Sequence, residues 1–62
     1  MPYVNSSAIS RIEWNAGVLS IWFVESGRYD YYGVPEALYT AFLAAPSKGQ
    51  FFNEYIRDQY AA

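Results

Sequence analysis

A chain of 62 residues holds one domain and one core; 53% of it is hydrophobic, 21% aromatic and only 16% charged, the reverse of a disordered tail. It contains no Cys and no His, which excludes disulfides, thiolate metal sites and Ser-His or Cys-His nucleophile pairs, and removes the commonest transition-metal ligand. The net charge of −2 is not the basic footprint usual in nucleic-acid binders, no apolar run approaches the ~20 residues of a membrane span, and no basic-then-apolar leader opens the chain, so the expected compartment is the cytoplasm.

Met1 to Ser7 reads as a polar lead-in. Ala8 to Trp14 is the first candidate strand, ended by the turn signal Asn15-Ala16-Gly17. Val18 to Val24 is the clearest strand, rich in β-branched and aromatic residues. Glu25-Ser26-Gly27 marks the next turn. Arg28 to Tyr32 is the third strand, ended by Gly33. Three strands joined by tight turns predict an antiparallel meander. Pro35 then opens a helix from its first position, with Leu38, Ala41, Phe42 and Ala45 recurring at helical spacing. Pro46 stops it. Ser47-Lys48-Gly49-Gln50 fits a capping box, Ser as N-cap and Gln three residues on. A second helix follows, with Phe52, Tyr55, Ile56 and Tyr60 on its apolar stripe and Glu54, Arg57 and Asp58 away from it. The predicted fold class is α+β: a three-stranded antiparallel β-meander followed by two α-helices packed on one face, within a single domain spanning 1–62.

Register decides the two faces of the sheet. A turn from Asn15 to Val18 pairs Trp14 with Leu19, so Ile12 and Trp14 share a face with Leu19, Ile21 and Phe23. The alternative would place Arg11 and Glu13 on that apolar face, which is costly. A three-residue second turn sets Tyr29 and Tyr31 beside Phe23 and Ile21, and keeps Asp30 out of the core. The opposite face then carries Arg11, Glu13, Ser20, Trp22, Val24, Arg28, Asp30 and Tyr32, and the two helices are expected to leave it open.

Three pieces of the chain resemble the KTSC domain, a family found at the C-terminal end of some lysyl-tRNA synthetases. They are Ser6-Ser7-Ala8-Ile9 leading to Trp14; Phe23 through Gly27 to Tyr29, Tyr31 and Gly33-Val34-Pro35; and Ser47-Lys48-Gly49-Gln50-Phe51-Phe52-Asn53, followed by Ile56-Arg57 and Tyr60. Their order and spacing cover nearly the whole chain. Trp14 stands where the family pattern has Tyr, and the first turn is shorter than usual. The resemblance implies a free-standing domain of this family, and the synthetase association points to RNA.

Three constellations carry the functional expectations. Lys48 and Gly49 at a helix start suit an anion, through free backbone N–H groups and the helix dipole; the plainer reading is a cap. Asn53 and Arg57, four apart, share a helix face with Lys48 nearby; the plainer reading is a tie between helix and strand, or an Arg57–Glu54 pair. Arg11, Trp22 and Tyr32 on the open sheet face suit base stacking, although Glu13 and Asp30 would repel phosphate. A homodimer burying Trp22, or cross-strand pairing alone, explains the same residues. The carboxylates are scattered, so no catalytic residue, metal or cofactor is expected. The reading is a non-catalytic binding module. Its partner is RNA or another nucleic acid through Lys48, Gly49, Asn53 and Arg57, or a protein or second copy on the aromatic sheet face. No membrane partner is expected.

Overall fold

The structure, a computed structural model, describes residues 8–61. The lead-in at 1–7, with Ser6 and Ser7 of the family pattern, lies outside the described residues. Three strands form one antiparallel sheet in the order β1 (Ile9–Asn15), β2 (Val18–Phe23), β3 (Gly27–Tyr31). Two helical segments follow: α1 (Glu36–Ala44) and α2 (Lys48–Phe51), which continues without a break into a π-helical turn at Phe52–Ile56.

The first hairpin has the predicted pairing, Trp14 with Leu19 and Asn15 with Val18. Its two linking residues both take positive φ, 50° at Ala16 and 86° at Gly17. That geometry matches the twist of the flanking strands. Glycine reaches it without cost, whereas Ala16 is held in the left-handed region.

The second hairpin keeps the predicted faces but slides by two residues. The loop is Val24-Glu25-Ser26, and Gly27 pairs with Phe23 at φ 84°. Tyr29 therefore stands opposite Ile21 and Tyr31 opposite Leu19. Strand side chains alternate with period two, so a two-residue slide changes partners and leaves every side chain on its face. Val24 turns out of the strand and is exposed. Tyr32 lies beyond the end of β3, also exposed, with its N–H donating to the Ala61 carbonyl at 3.3 Å.

A β-bulge sits between Ile9 and Arg11. Strict alternation from Ile12 would send Ile9 to the same side as Arg11. The bulge inserts one residue, and Ile9 stands opposite Phe23 with no exposure. The core is then Ile9, Ile12, Leu19, Ile21, Tyr31, Val34, Phe42 and Ile56, with Trp14, Phe23, Leu38, Tyr39, Phe51, Phe52 and Tyr60 packed around it.

Pro35 is the N-cap of α1 rather than its first residue. The helix stops because Ala45 precedes Pro46 and takes an extended conformation, φ −66° and ψ 135°, as the proline ring demands of its predecessor. Ser47 caps α2, its hydroxyl accepting the Gln50 N–H at 3.2 Å. The reciprocal half of the predicted box does not form, because the Gln50 amide donates onward to Glu54 Oε1 at 3.2 Å.

The π turn alters the predicted stripe. Arg57 N–H bonds back five residues to the Phe52 carbonyl. The wider turn lets Phe51, Phe52 and Ile56 all face inward. Tyr55 swings out, half exposed, with its ring 4.7 Å from that of Phe51.

Candidate functional site

The side of the sheet away from the core carries two cross-strand rows. Arg11, Trp22 and Arg28 form one, and Glu13, Ser20 and Asp30 the other. The Arg11 guanidinium lies 4.2 Å from the Trp22 ring centroid and that of Arg28 lies 5.6 Å from it. Both distances suit cation–π attraction. Arg28 also grips Asp30 through two hydrogen bonds of 3.0 Å, and the Ser20 hydroxyl donates to the same carboxylate at 2.7 Å. Arg11 donates to Glu13. The Arg28 and Ser20 hydrogen bonds hold the Asp30 carboxyl below its ordinary pKa. Each cation on this face is therefore matched by a carboxylate and laid against the indole. Of the three residues expected here, Arg11 and Trp22 meet, and Tyr32 stands apart past the strand end.

The four residues expected around the second helix are placed unevenly. Lys48 turns back, its Nζ donating to the Ala45 carbonyl at 2.5 Å, so the ammonium closes the C-terminal end of α1. A Cβ on Gly49 would meet nothing within 4 Å, so helix packing does not require glycine there. Asn53 and Arg57 are exposed. Among the described residues, no hydrogen bond or ion pair engages either side chain. Arg57 does bear on Tyr31: burial and Tyr29 push that hydroxyl's pKa up, and Arg57 opposes them. Among the described residues Arg57 does not pair with Glu54.

The feature that sequence reasoning missed lies between the helices. Leu38, Ala41, Ala44, Ala45, Pro46, Phe51 and Tyr55 line an open groove of about 500 Å³. Three of these were expected on the inward stripe of α1, and Tyr55 on that of the second helix. The groove exists because Ala41, Ala44 and Ala45 leave little bulk on α1, while the π turn presents the Phe51–Tyr55 ring pair across from them. The lining ring of Phe51 stacks on buried Phe42 at 5.2 Å with rings 15° apart, which holds it in place. Glu54 borders the groove beside Ser47 and Gln50. Its carboxylate is met by the Gln50 amide and by no cation among the described residues. A run of small residues on one helix side was the signal available in the sequence.

Among the described residues, no three carboxylates cluster as a metal site, and no helix is long and apolar enough to cross a membrane.

With this geometry in hand, the comparisons fix the class. The meander with two helical segments on one side is the fold of a KTSC domain protein from Yersinia pestis, whose crystal structure superimposes with a TM-score of 0.93 at 39% identity, covering 97% of this chain and 87% of that one. The KTSC family model matches residues 5–60. The chain belongs to the KTSC domain family. No curated protein matches it.

Proposed function

We propose that this domain is a protein-binding module that seats an apolar segment of a partner, bearing one basic residue, in the groove between α1 and the second helix. The observation that carries this reading is the groove itself. It is uncharged along its lining, its Phe51 ring is held by stacking on Phe42, and of the charges at its border Lys48 is engaged by the Ala45 carbonyl while Glu54 lacks a cationic partner among the described residues. An apolar trough with a single unmatched carboxylate at its rim complements an amphipathic segment with an apolar anchor and a Lys or Arg. The sheet face supports the alternative less. Its arginines are already paired with carboxylates and cover Trp22, so a stacking base would have to displace them. The nucleic-acid reading keeps Asn53 and Arg57 as its exposed polar groups, together with the synthetase association of the family.

The test is an amide-shift titration with two probes: peptides selected from a random library on the immobilised domain, and a short single-stranded RNA at low salt. The expected result is that selected peptides share an apolar anchor and a basic residue and move the amides of Leu38, Ala41, Phe51 and Tyr55. Shifts confined to Lys48, Gly49, Asn53 and Arg57 on adding RNA, weakening with salt, would replace this reading with the nucleic-acid one.

A further inference from the structure

We infer that β3 is a self-complementary edge through which two copies of this chain pair antiparallel, joining their sheets about a two-fold axis at Tyr29. β3 leaves the backbone groups of alternate residues open. β2 turns the N–H groups of its even-numbered residues toward β1: Val24, just past its end, donates to Ala8 at 2.9 Å, and the two-residue turn is closed by Asn15 and Val18. In an antiparallel ladder the bonding direction alternates residue by residue. The odd-numbered Leu19, Ile21 and Phe23 therefore bond toward β3, and their partners Tyr31, Tyr29 and Gly27 use their groups on β2. Arg28 and Asp30 point theirs outward. The Tyr32 N–H, of the same parity, confirms the direction by donating to Ala61 on that outer side. Among the described residues, no backbone hydrogen bond outside the sheet engages Arg28 or Asp30, and β3 pairs with β2 alone.

An edge with open groups pairs with whatever strand its side chains accept. Here the side chains select one register. Centred on Tyr29, a second β3 places Arg28 of each copy opposite Asp30 of the other. These are also the two residues whose open N–H and C=O groups face outward, so charge pairing and backbone bonding coincide. A shift by one residue of the axis either way sets Arg28 against Arg28 or Asp30 against Asp30, which like-charge repulsion disfavours. On the other face the same axis brings Tyr29 against its copy. Tyr29 is 43% exposed although its ring packs edge-on to Phe23 at 5.7 Å, so pairing covers the part left open. The C-terminal tail, bonded at Tyr32, ends the open edge and limits the pairing to Gly27–Tyr31.

Sedimentation equilibrium over a range of concentrations tests this, combined with hydrogen exchange on the intact chain. The expected result is a monomer–dimer equilibrium in which protection of the Arg28 and Asp30 amides rises with concentration by more than that of Tyr29 and Tyr31, which follow only the general gain in stability. Arg28→Asp and Asp30→Arg should each weaken self-association by roughly tenfold or more. The double swap should restore it, and the two single variants mixed together should form a heterodimer. A monomer at every concentration, a dimer indifferent to the single reversals, or a gain in protection larger elsewhere than at Arg28 and Asp30 overturns the inference. The amide readout on the unaltered chain decides the matter even where a reversal unfolds the domain.

Discussion

Replacing Trp14 by Phe removes one hydrogen-bond donor from the joint between the sheet and α1. The indole N–H donates to the Val34 carbonyl at 2.7 Å, and Val34 is 1% exposed. The ring also lies face to face with Tyr39, centroids 6.4 Å apart. Phe keeps an aromatic ring opposite Leu19 but leaves the carbonyl without this partner. An acceptor stranded in the interior costs about 1–3 kcal/mol, and the smaller ring forfeits up to ~1 kcal/mol of burial. The expected loss is therefore about 1–4 kcal/mol. At roughly 0.05–0.15 kcal/mol per residue the whole domain holds on the order of 3–9 kcal/mol, so the fraction lost is large. With a urea m-value near ~1 kcal/mol/M for so small a chain, the midpoint should fall by about 1–4 M. Urea melts followed by far-ultraviolet circular dichroism, and by the remaining Trp22, measure it. A midpoint within about 0.3 M of the parent would refute the reasoning, because the Val34 carbonyl would then have another donor.

Three further outcomes follow from single contacts. Ala16→Asn should stabilise the fold by about 0.5–1 kcal/mol in thermal melts, since Ala16 sits at φ 50° and Asn tolerates that region and forms the preferred Asn-Gly turn with Gly17; a lower melting temperature would contradict this. Ser47→Ala should cost about 1 kcal/mol by removing the acceptor of the Gln50 N–H, and an unchanged melting temperature would show the cap to be redundant. Asp30 has its pKa lowered by the Arg28 and Ser20 hydrogen bonds from the ordinary 3.8. A depressed folded pKa gives stability that is present above 3.8 and lost as pH falls through the lower folded value. Stability of the parent should thus drop more steeply than that of Asp30→Asn below pH 3.8, and parallel profiles would count against the interaction.

The strands, their order and both faces of the sheet were legible because alternation in Val18 to Phe23 has one solution that keeps Arg11, Glu13 and Asp30 out of the core. The bulge at Ile9 was not, since it answers to burial of one side chain and has no local turn residue to announce it. The slide at Gly27 escaped for a related reason. A glycine at positive φ serves equally as the last loop residue or the first of a strand, and both choices preserve the faces. In the second helix, regular α spacing assigned Tyr55 to the core. The π turn lets Phe51 and Phe52 both pack inward and frees Tyr55 for the groove. The candidate cations were legible as residue types but not as partners. Lys48 closes a helix end, and Arg11 and Arg28 are bound within their own sheet face. Which cations stay open to a ligand is decided by such tertiary contacts, beyond the reach of spacing.

The groove as the binding surface is tested most directly by the affinity of a selected peptide for the parent domain and for Ala41→Lys. Ala41 is exposed on α1 and lines the groove, and Lys is a good helix former, so the fold should tolerate the change. A cation inside the trough strips it of apolar contact and opposes a basic residue in the partner. Affinity should fall by roughly tenfold or more while circular dichroism is unchanged. Equal affinity for the two proteins, with loss instead on Asn53→Ala or Arg57→Ala, would contradict the account.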